Sequence, residues 1–285
     1  MLSAITQSAM SRVTLVAASA LLACSPDKHA APAGAPPARQ LVAAPDTARG
    51  PQTFRWDFST TRTWSYAYTQ RLKARANSGT NSTHEAQGAG TMEIVSKGGG
   101  KANLVLRDLE LQVASSVGSK PASLKSPVMV LPDVQEDGSA TGSGTRGSEM
   151  LLRMLFPLPH GALAVGDVEQ VPLSLPFNAN GSPLTVRGTA KVTFAGFAKL
   201  SDRTCAVLDV VFDVSRLEVP PELPGSYRAS LSGTSELCFD LGEHAIVHET
   251  AELAMSMKAD VAPSTAADMD LETVITVDRR PAPSP

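Results

Sequence analysis

Alternating apolar and polar residues are the feature that most limits how this chain can fold. Between Thr63 and Lys73, the residues Trp64, Tyr66, Tyr68 and Leu72 share one parity, and the positions between them are mainly polar. A period of two places the apolar side chains on one face of a half-buried strand. Strands of a parallel sheet are instead apolar at nearly every position. The pattern therefore predicts an antiparallel sheet with one apolar face.

The same alternation recurs along the chain, and no segment has the repeated strand–helix–strand pattern of a parallel sheet. We therefore expect a mainly β protein, in which an antiparallel meander forms a strongly curved sheet or half-barrel packed on one short helix. The other inward positions are Met92, Ile94, Leu184, Val186, Val192, Phe194, Leu208, Val210, Phe212, Val214, Leu231, Leu237, Phe239, Met269, Leu271, Ile275 and Val277.

Turn residues fix part of the predicted register. Asn180-Gly181 favours a two-residue hairpin, and this turn places Leu175 opposite Val186. Proline cannot donate to a strand ladder, so Pro172 and Pro176 indicate that the first strand of the hairpin lies at an edge.

A change of phase marks one irregular strand. Its apolar positions shift at Arg107-Asp108, from Leu104 and Leu106 to Leu109 and Leu111. One extra residue inserted into a strand produces such a shift. The sequence therefore predicts a bulge or a sharp bend at this point.

The N-terminal segment has the order of residues of a secretory signal. Arg12 precedes an 11-residue, largely apolar stretch, Val13 to Ala23, which ends at Cys24. The sequence Leu-Leu-Ala-Cys resembles the lipobox of bacterial lipoproteins. That resemblance implies that residues 1–23 are removed, that Cys24 is lipidated, and that Ser25 directs the protein to the outer rather than the inner membrane. The alternatives are an ordinary secretory signal with an accidental cysteine, and a later start at Met10.

The segment after Cys24 has the composition of a tether. Residues 25–52 comprise 28 residues, with 8 alanines, 6 prolines, 2 glycines and no aromatic residue. Such a composition buries too little apolar surface to offset its ordering entropy. We expect a lipidated tether over residues 24–52, a β domain over 53–278 and a disordered tail over 279–285.

The two remaining cysteines fall on two neighbouring strands. Folding the loop from Glu218 to Gly225 about its midpoint places Cys205 directly opposite Cys238, on the outer face. Disulfides form in the oxidising compartment that a secretory signal implies. The sequence therefore predicts a Cys205–Cys238 disulfide, and the alternative is a pair of free thiols.

The next hairpin decides which polar residues point inward. A three-residue turn at Leu241-Gly242-Glu243 directs Val247 and Met255 inward and places Glu249 opposite Ser235. A two-residue turn would instead bury His248, so we prefer the longer one. Glu249 is thus a candidate pocket carboxylate, and the alternative is a residue at the rim of the sheet.

One short helix is expected over residues 148–156. Ser148 is a suitable N-cap, Pro157 ends the segment, and the residues between them are apolar on nearly every side. A helix that is apolar all round is buried. We expect it to fill the concave face of the sheet.

Motifs for cofactors, metals and nucleic acids are weak. The Gly142–Gly147 segment matches a dinucleotide-binding pattern but lacks the preceding strand and the parallel context. His244 and His248 lie roughly 13 Å apart if they are on a strand, too far to share one metal ion. A net charge of −3 excludes an electrostatic nucleic-acid binder. We expect no cofactor, no metal and no enzymatic activity.

The more specific of two hypotheses for the inward face is that it binds an apolar ligand. Methionine fills irregular space and suits adaptable apolar contacts. The alternative is an ordinary packed core. The candidate lining residues are Trp64, Tyr66, Tyr68, Met92, Phe194, Phe212, Met255, Met257 and Met269.

Several short motifs appear together along the chain. After the lipobox and the tether come an aromatic first strand, Asp137-Gly138, the run Leu155 to Pro159, and Val165-Gly166-Asp167. This order resembles bacterial lipoproteins of unknown function, and the one-sided sheet around a helix is similar to half-barrel lipoprotein carriers. The resemblance implies a membrane-tethered, non-catalytic envelope lipoprotein that holds an acyl chain or another apolar ligand. The alternative is an envelope structural or interaction module with a filled core.

Overall fold

Long antiparallel strands make up most of the structure, a computed structural model that describes residues 40–45, 48, 50–77, 81–115, 122–140, 152–179, 182–200, 203–223, 225–260 and 266–281. The strands in these residues are β1 (Leu41–Val42), β2 (Gln52–Thr53), β3 (Thr61–Asn77), β4 (Asn81–Gly98), β5 (Lys101–Ser115), β6 (Ala122–Lys125), β7 (Met129–Gln135), β8 (Ala162–Leu163), β9 (Val168–Ala179), β10 (Ser182–Leu200), β11 (Arg203–Glu218), β12 (Ser226–Asp240), β13 (Ala245–Asp260) and β14 (Ala266–Arg279).

Twelve of these strands form one open, curved sheet. Its order is β1-β10-β11-β12-β13-β14-β3-β4-β5-β6, with β9 beside β10 and β7 beside β5, and the described pairs are antiparallel. The contact between β14 and β3 joins the last strand of the C-terminal meander to the first long strand of the chain. The predicted fold class is confirmed: the chain forms an antiparallel meander with one inner face.

The predicted alternation determines which face is buried. Trp64, Tyr66 and Tyr68 of β3 are at most 2% exposed, and Met92 and Ile94 of β4 face them across the ladder. These side chains belong to one continuous core that also includes the inward residues of β10 to β14. The parity that the sequence assigns to the inner face of β3 and β4 is therefore confirmed.

A short segment covers one end of the inner face. Residues 152–154 are helical, and Phe156 has a positive φ of 65°, so the regular helix ends before Phe156. The earlier part of the predicted helix, residues 148–151, lies outside the described residues. Leu152, Met154 and Leu158 are buried, as expected for a segment that fills the sheet.

A second aromatic segment covers the same end. Phe54, Trp56 and Phe58 precede β3, are at most 2% exposed, and have the period-two spacing of an extended chain. Trp56 contacts Phe156 and Trp64, with ring centroids 5.8 and 5.6 Å away. We call residues 54–58 and 152–158 together the aromatic plug. The sequence analysis anticipated only its second half.

Part of the predicted tether belongs to the fold. β1 pairs with β10, where Leu41 lies opposite Ala198, and Gln52 of β2 pairs with Leu163 of β8. Ala48 is buried in the core. Residues 1–39, which include the predicted signal and Cys24, lie outside the described residues, as do residues 282–285 of the predicted tail; β14 extends to Arg279.

Two of the local predictions are confirmed by the strand pairing. Leu175 lies opposite Val186 in the β9–β10 hairpin, and among the described strands β9 pairs with β10 alone, as expected for an edge. The turn residues Asn180 and Gly181 themselves lie outside the described residues. The β4–β5 ladder is interrupted between Ala89 and Thr91, and Asp108 has a positive φ of 56°, which is the predicted bulge.

The predicted register of β11 and β12 is wrong by two residues. Val207, not Cys205, lies opposite Cys238, and Phe212 lies opposite Gly233 rather than Leu231. A shift of two preserves the face of every side chain, so the apolar pattern alone does not detect it. The register places the large Phe212 opposite a residue without a side chain. A Cβ on Gly233 would lie 2.1 Å from a backbone oxygen of β13.

The predicted turn between β12 and β13 is also wrong. Asp240 pairs with Ala245, so the turn contains four residues, and the ladder shifts again near Val247. Glu249 therefore lies opposite Leu237 rather than Ser235, although it still points inward. Val247 was expected inside, but it packs with the two cysteines on the outer face.

The structure contains the predicted disulfide. Cys205 and Cys238 are bonded diagonally across β11 and β12, and their Cα atoms are 5.5 Å apart. Both residues are buried on the outer face, and each is at most 6% exposed. The disulfide prediction is correct although the predicted register is wrong, because a shift of two residues keeps both cysteines on the same face.

Loss of the disulfide should lower the free energy of unfolding. The bond joins residues separated by 33 positions, and closing a loop of this length stabilises by about 3–4 kcal/mol in the chain-entropy model. We expect the free energy of unfolding of the double variant C205S/C238S, measured with urea and without reductant, to be lower than that of the wild type by about this amount. Reductant should destabilise the wild type and leave the variant unchanged. Equal stabilities without reductant would contradict the prediction.

Candidate functional site

Among the described residues, the inner face of the sheet has a sealed half and an open half, and the methionines at the end of the open half are partly exposed. The sealed half carries the aromatic plug, and six of the candidate lining residues are buried there or beside it. The other three, Met255, Met257 and Met269, are half-buried at the opposite ends of β13 and β14. Met257 lies directly opposite Met269. The six buried residues are Trp64, Tyr66, Tyr68, Met92, Phe194 and Phe212.

The open half contains a shallow apolar groove. It begins where the inward row of β13 passes from the buried Leu253 to the half-buried Met255. Its enclosed volume is about 10 Å³, the space of one water molecule, so the groove is a depression rather than a cavity. We call it the methionine groove; its lining residues are Leu175, Val186, Ala229, Ser230, Leu231, Met255 and Met257.

A group of buried polar side chains separates the two halves. The Tyr68 hydroxyl donates to Oε1 of Gln70 at 3.2 Å, and Nε2 of Gln70 donates to the Thr273 hydroxyl at 3.2 Å. Thr273 in turn donates to the backbone oxygen of Arg71 at 3.0 Å. Together with Ser235 and Glu249, these side chains form what we call the polar belt. Each has its hydrogen bond inside the sheet, which offsets the cost of its burial.

Glu249 is the most deeply buried ionisable group of the belt. Its side chain is 0% exposed, and its Oε1 accepts a hydrogen bond from the Ser235 hydroxyl at 2.8 Å. Burial raises the pKa of Glu249 from its ordinary value of 4.5 to about 8, although hydrogen bonds from Ser235 and the backbone of Phe156 oppose the shift. The carboxyl is therefore mainly protonated at neutral pH.

The two tyrosines next to the belt also stay protonated. Burial is the largest cause of the raised pKa of both Tyr66 and Tyr68, and the charge of Glu249 adds to the shift at Tyr68. The Tyr66 hydroxyl donates to the backbone oxygen of Ile246 at 3.0 Å. Both hydroxyls therefore act as hydrogen-bond donors within the core.

The sequence analysis missed Gln70 and Thr273 of the belt and the first half of the plug. Gln70 and Thr273 occupy inward parities of β3 and β14, so the signal was an interruption of the apolar pattern by a polar residue. Phe54, Trp56 and Phe58 alternate in the sequence, and that spacing was the available signal for the plug.

Two histidine side chains on the described surface have carboxylate partners, and both lie away from the groove. On the outer face, Nδ1 of His248 is 2.6 Å from Oδ1 of Asp278, and its Nε2 is 3.2 Å from the Thr250 hydroxyl. His248 lies opposite Cys238 on the neighbouring strand. Beside the plug, His160 lies between Asp137 and Glu169, with nitrogen–oxygen distances of 3.2 and 3.4 Å.

Within the described residues, no group of three or more histidine, cysteine or carboxylate side chains is arranged to hold a metal ion. None of the described helical segments combines the length and the apolar character needed to cross a membrane. The glycine-rich motif at Gly142–Gly147 lies outside these residues.

Comparisons with known proteins give only distant structural similarities. No protein-family model matches the chain, and no curated protein matches it. A lipovitellin structure described by its lipid–protein interactions is similar with a TM-score of 0.41 and 10% identity, over 80% of this chain and 26% of that one. This chain thus spans about a quarter of the lipovitellin chain.

A protein of the DUF1329 family from Desulfovibrio piger gives a TM-score of 0.14 and 10% identity, over 80% of this chain and 89% of that one. Because both TM-scores are low, these similarities assign neither a family nor a ligand to the chain.

The raised pKa of Glu249 predicts a specific dependence of stability on pH. The folded pKa lies above the unfolded one, so the stability contribution is complete below about pH 4.5 and is lost as the pH rises through about 8. Between these values the free energy of unfolding should fall by about 1.4 kcal/mol per pH unit.

The neutral variant E249Q should have the same free energy of unfolding as the wild type near pH 4.5. At higher pH it should become progressively more stable than the wild type. Urea unfolding of both proteins across this range measures the difference, and pH effects of all other groups are common to both. Parallel profiles would refute the assignment.

Proposed function

We propose that this chain is a lipid-anchored protein of the bacterial envelope that binds an acyl chain or another apolar ligand at the open half of its sheet. The observation that carries this proposal is the methionine groove. Met255 and Met257 are only half-buried although they occupy inward positions, whereas the inward side chains that precede them on β13, such as Leu253, are buried. A ligand that covered these side chains would remove apolar surface from water.

The composition of the groove suits a ligand of variable shape. Methionine has three rotatable bonds and a polarizable sulfur, so its side chain rearranges around apolar groups at low cost. Movement of Met255 and Met257 would enlarge a groove that now has the volume of one water molecule. The small Ala229 on the neighbouring strand leaves room for that movement.

The anchoring part of the proposal is supported by the sequence alone. The apolar stretch that ends at Cys24 resembles a lipobox, and several acyl chains on one cysteine hold a soluble domain at a membrane without a spanning helix. The localisation that this implies is the bacterial envelope, with the outer membrane preferred because Ser25 follows the cysteine. The role that it implies is binding rather than catalysis.

A second candidate function is supported by the plugged half. Trp64, Tyr66 and Phe194 are at most 1% exposed and pack against the plug or its neighbours. A structural or interaction module of the envelope needs only such a filled core. This candidate differs from the first in one measurable respect: it binds no apolar ligand.

Lipidation at Cys24 is directly testable. We expect the full chain, expressed in a bacterium fed a radiolabelled fatty acid, to incorporate the label and to partition into the membrane fraction. The variant C24S should incorporate none, because the thiol that carries the acyl groups is absent. An unlabelled wild-type protein that is released in soluble form would instead identify an ordinary secretory signal.

Ligand binding at the groove can be tested with two lysine substitutions on one strand. M255K places a charge on the inner face, whereas A254K places the same charge on the exposed outer face one residue away. We expect M255K to weaken binding of the neutral fluorescent probe N-phenyl-1-naphthylamine about tenfold or more, since a buried charge opposes apolar contact.

A254K should bind the probe as the wild type does. Equal binding by both variants would place the ligand elsewhere, and no binding by the wild type would favour the module with a filled core.

A further inference from the structure

Exposed apolar side chains are concentrated where the chain first joins the large sheet. Eight large apolar residues are exposed in the part of the chain that the structure describes, and five of them lie on or beside residues 193–200 of β10. Single exposed apolar residues are common on protein surfaces, whereas a cluster marks a surface that contacts another molecule. The five residues, which we call the tether patch, are Leu41, Val42, Val165, Val168 and Leu200.

The centre of the tether patch lies over a glycine. A Cβ atom at Gly196 would lie 3.8 Å from side-chain carbons of both Leu41 and Val165, so these two side chains lie side by side across the glycine. The β10–β11 ladder shifts at this point, and Gly196 has a φ of 131°, a conformation that favours glycine. Leu41 and Val165 cover the buried glycine but are themselves 49% and 58% exposed.

The turn that carries Val165 is held by its own hydrogen bonds. The backbone N–H of Asp167 donates to the Ala164 oxygen at 2.9 Å, and the Ala164 N–H donates to Oδ2 of Asp167 at 2.9 Å. The N–H of Gly166 donates to the Phe194 oxygen at 2.8 Å, which fixes the turn to β10. The exposure of Val165 is therefore a property of the fold.

The position of the patch in the chain indicates its partner. Leu41 is 17 residues after Cys24, and residues 25–40 contain no valine, leucine, isoleucine, methionine or aromatic residue. The exposed Leu41 and Val42 are thus the first large apolar residues after the proposed lipid anchor. Seventeen residues span at most about 60 Å, so acyl groups on Cys24 would keep the patch within that distance of the bilayer.

We infer that the tether patch is a membrane-docking surface, which inserts its apolar side chains into the head-group region of the bilayer that holds the acyl groups of Cys24. The inference rests on the proposed function, because it requires the lipid anchor. It adds to that function a second contact with the membrane and an orientation of the domain, with the patch toward the bilayer and the methionine groove away from it.

The second contact differs physically from the lipid anchor. Acyl chains alone hold a domain near the bilayer without fixing its orientation, whereas docked side chains of the fold also fix which surface faces the lipid. Apolar side chains at the interface reach about 5–10 Å into the boundary between head groups and acyl chains, and they gain free energy by leaving water. Because this contact is apolar, it should persist at high salt, which weakens contacts between surface charges.

Tryptophan reporters at two exposed valines test the docking. Val165 lies at the centre of the patch, whereas Val211 is 49% exposed on the outer face of β11, so V165W and V211W introduce the same change at two places. The native Trp56 and Trp64 are at most 2% exposed and give a constant background. Each full-length variant, purified with the lipids that it acquires in a bacterium, is reconstituted in phosphatidylcholine vesicles with or without bromine on the acyl chains.

Brominated lipid should lower the emission contributed by the V165W reporter about twofold, because its ring reaches the acyl boundary, and should leave the V211W reporter unchanged. The quenching of V165W should be the same in about 1 M salt.

Three outcomes would contradict the inference, and they differ in what else they remove. Equal quenching of the two reporters, or none at V165W in vesicles that carry the protein, would overturn the docking surface and leave the lipid anchor intact. A blue-shifted V165W emission that brominated lipid does not quench would show that a second copy or another protein covers the patch. Failure of the wild type to float with the vesicles would remove the lipid anchor of the proposed function, and the docking surface with it.

Discussion

Burial of one face of a long, open sheet is the constraint on which the rest of this structure depends. An antiparallel sheet with alternating residues exposes its apolar face unless another layer covers it. Among the described residues, that layer is the aromatic plug, which covers one end of the inner face. Phe54 and Trp56 pack edge-to-face on the inward rings of the sheet, a geometry that aromatic pairs prefer. The half-exposed methionines at the other end are the consequence of this incomplete cover.

The polar belt connects the stability of the plug to the candidate site. The backbone of Phe156, in the plug, hydrogen-bonds to the carboxyl of Glu249, and Ser235 bonds to the same carboxyl from β12. Glu249 thus joins the covering segment to the sheet at the border between the sealed and open halves. Burial of a carboxyl is unfavourable in itself, and the hydrogen bonds from Ser235 and Phe156 offset part of that cost.

The sequence allowed the face of most side chains to be predicted, but not the register between strands. Parity along a strand follows from alternation, which is why Glu249 points inward and why both cysteines share the outer face. Register depends on loop length and on bulges, and a two-residue slip leaves every parity unchanged. Gly233 lies opposite Phe212, and the ladder has an extra residue at Val247. Both features depend on packing between strands, so the alternation along a single strand does not predict them.

The site itself was predictable in part, for the same reason. Met255, Met257 and Glu249 were placed on the inner face by parity, whereas the separation of the face into two halves depends on the plug. The plug packs through contacts distant in sequence, such as those of Trp56 with Phe156 and with Phe239. No local pattern shows which end of a sheet such a segment covers.

The direction of the strands relates the groove to the proposed membrane anchor. β1 joins the sheet at the plugged end, where Leu41 lies opposite Ala198 and Ala198 lies opposite Cys205 of the disulfide. The groove lies at the far end of β13, twelve residues beyond Ala245, or roughly 40 Å along the strand. If the protein is lipid-anchored, the disulfide stabilises the end of the sheet to which the tether connects. The proposed ligand would then reach the groove from the end of the sheet that lies away from the proposed tether.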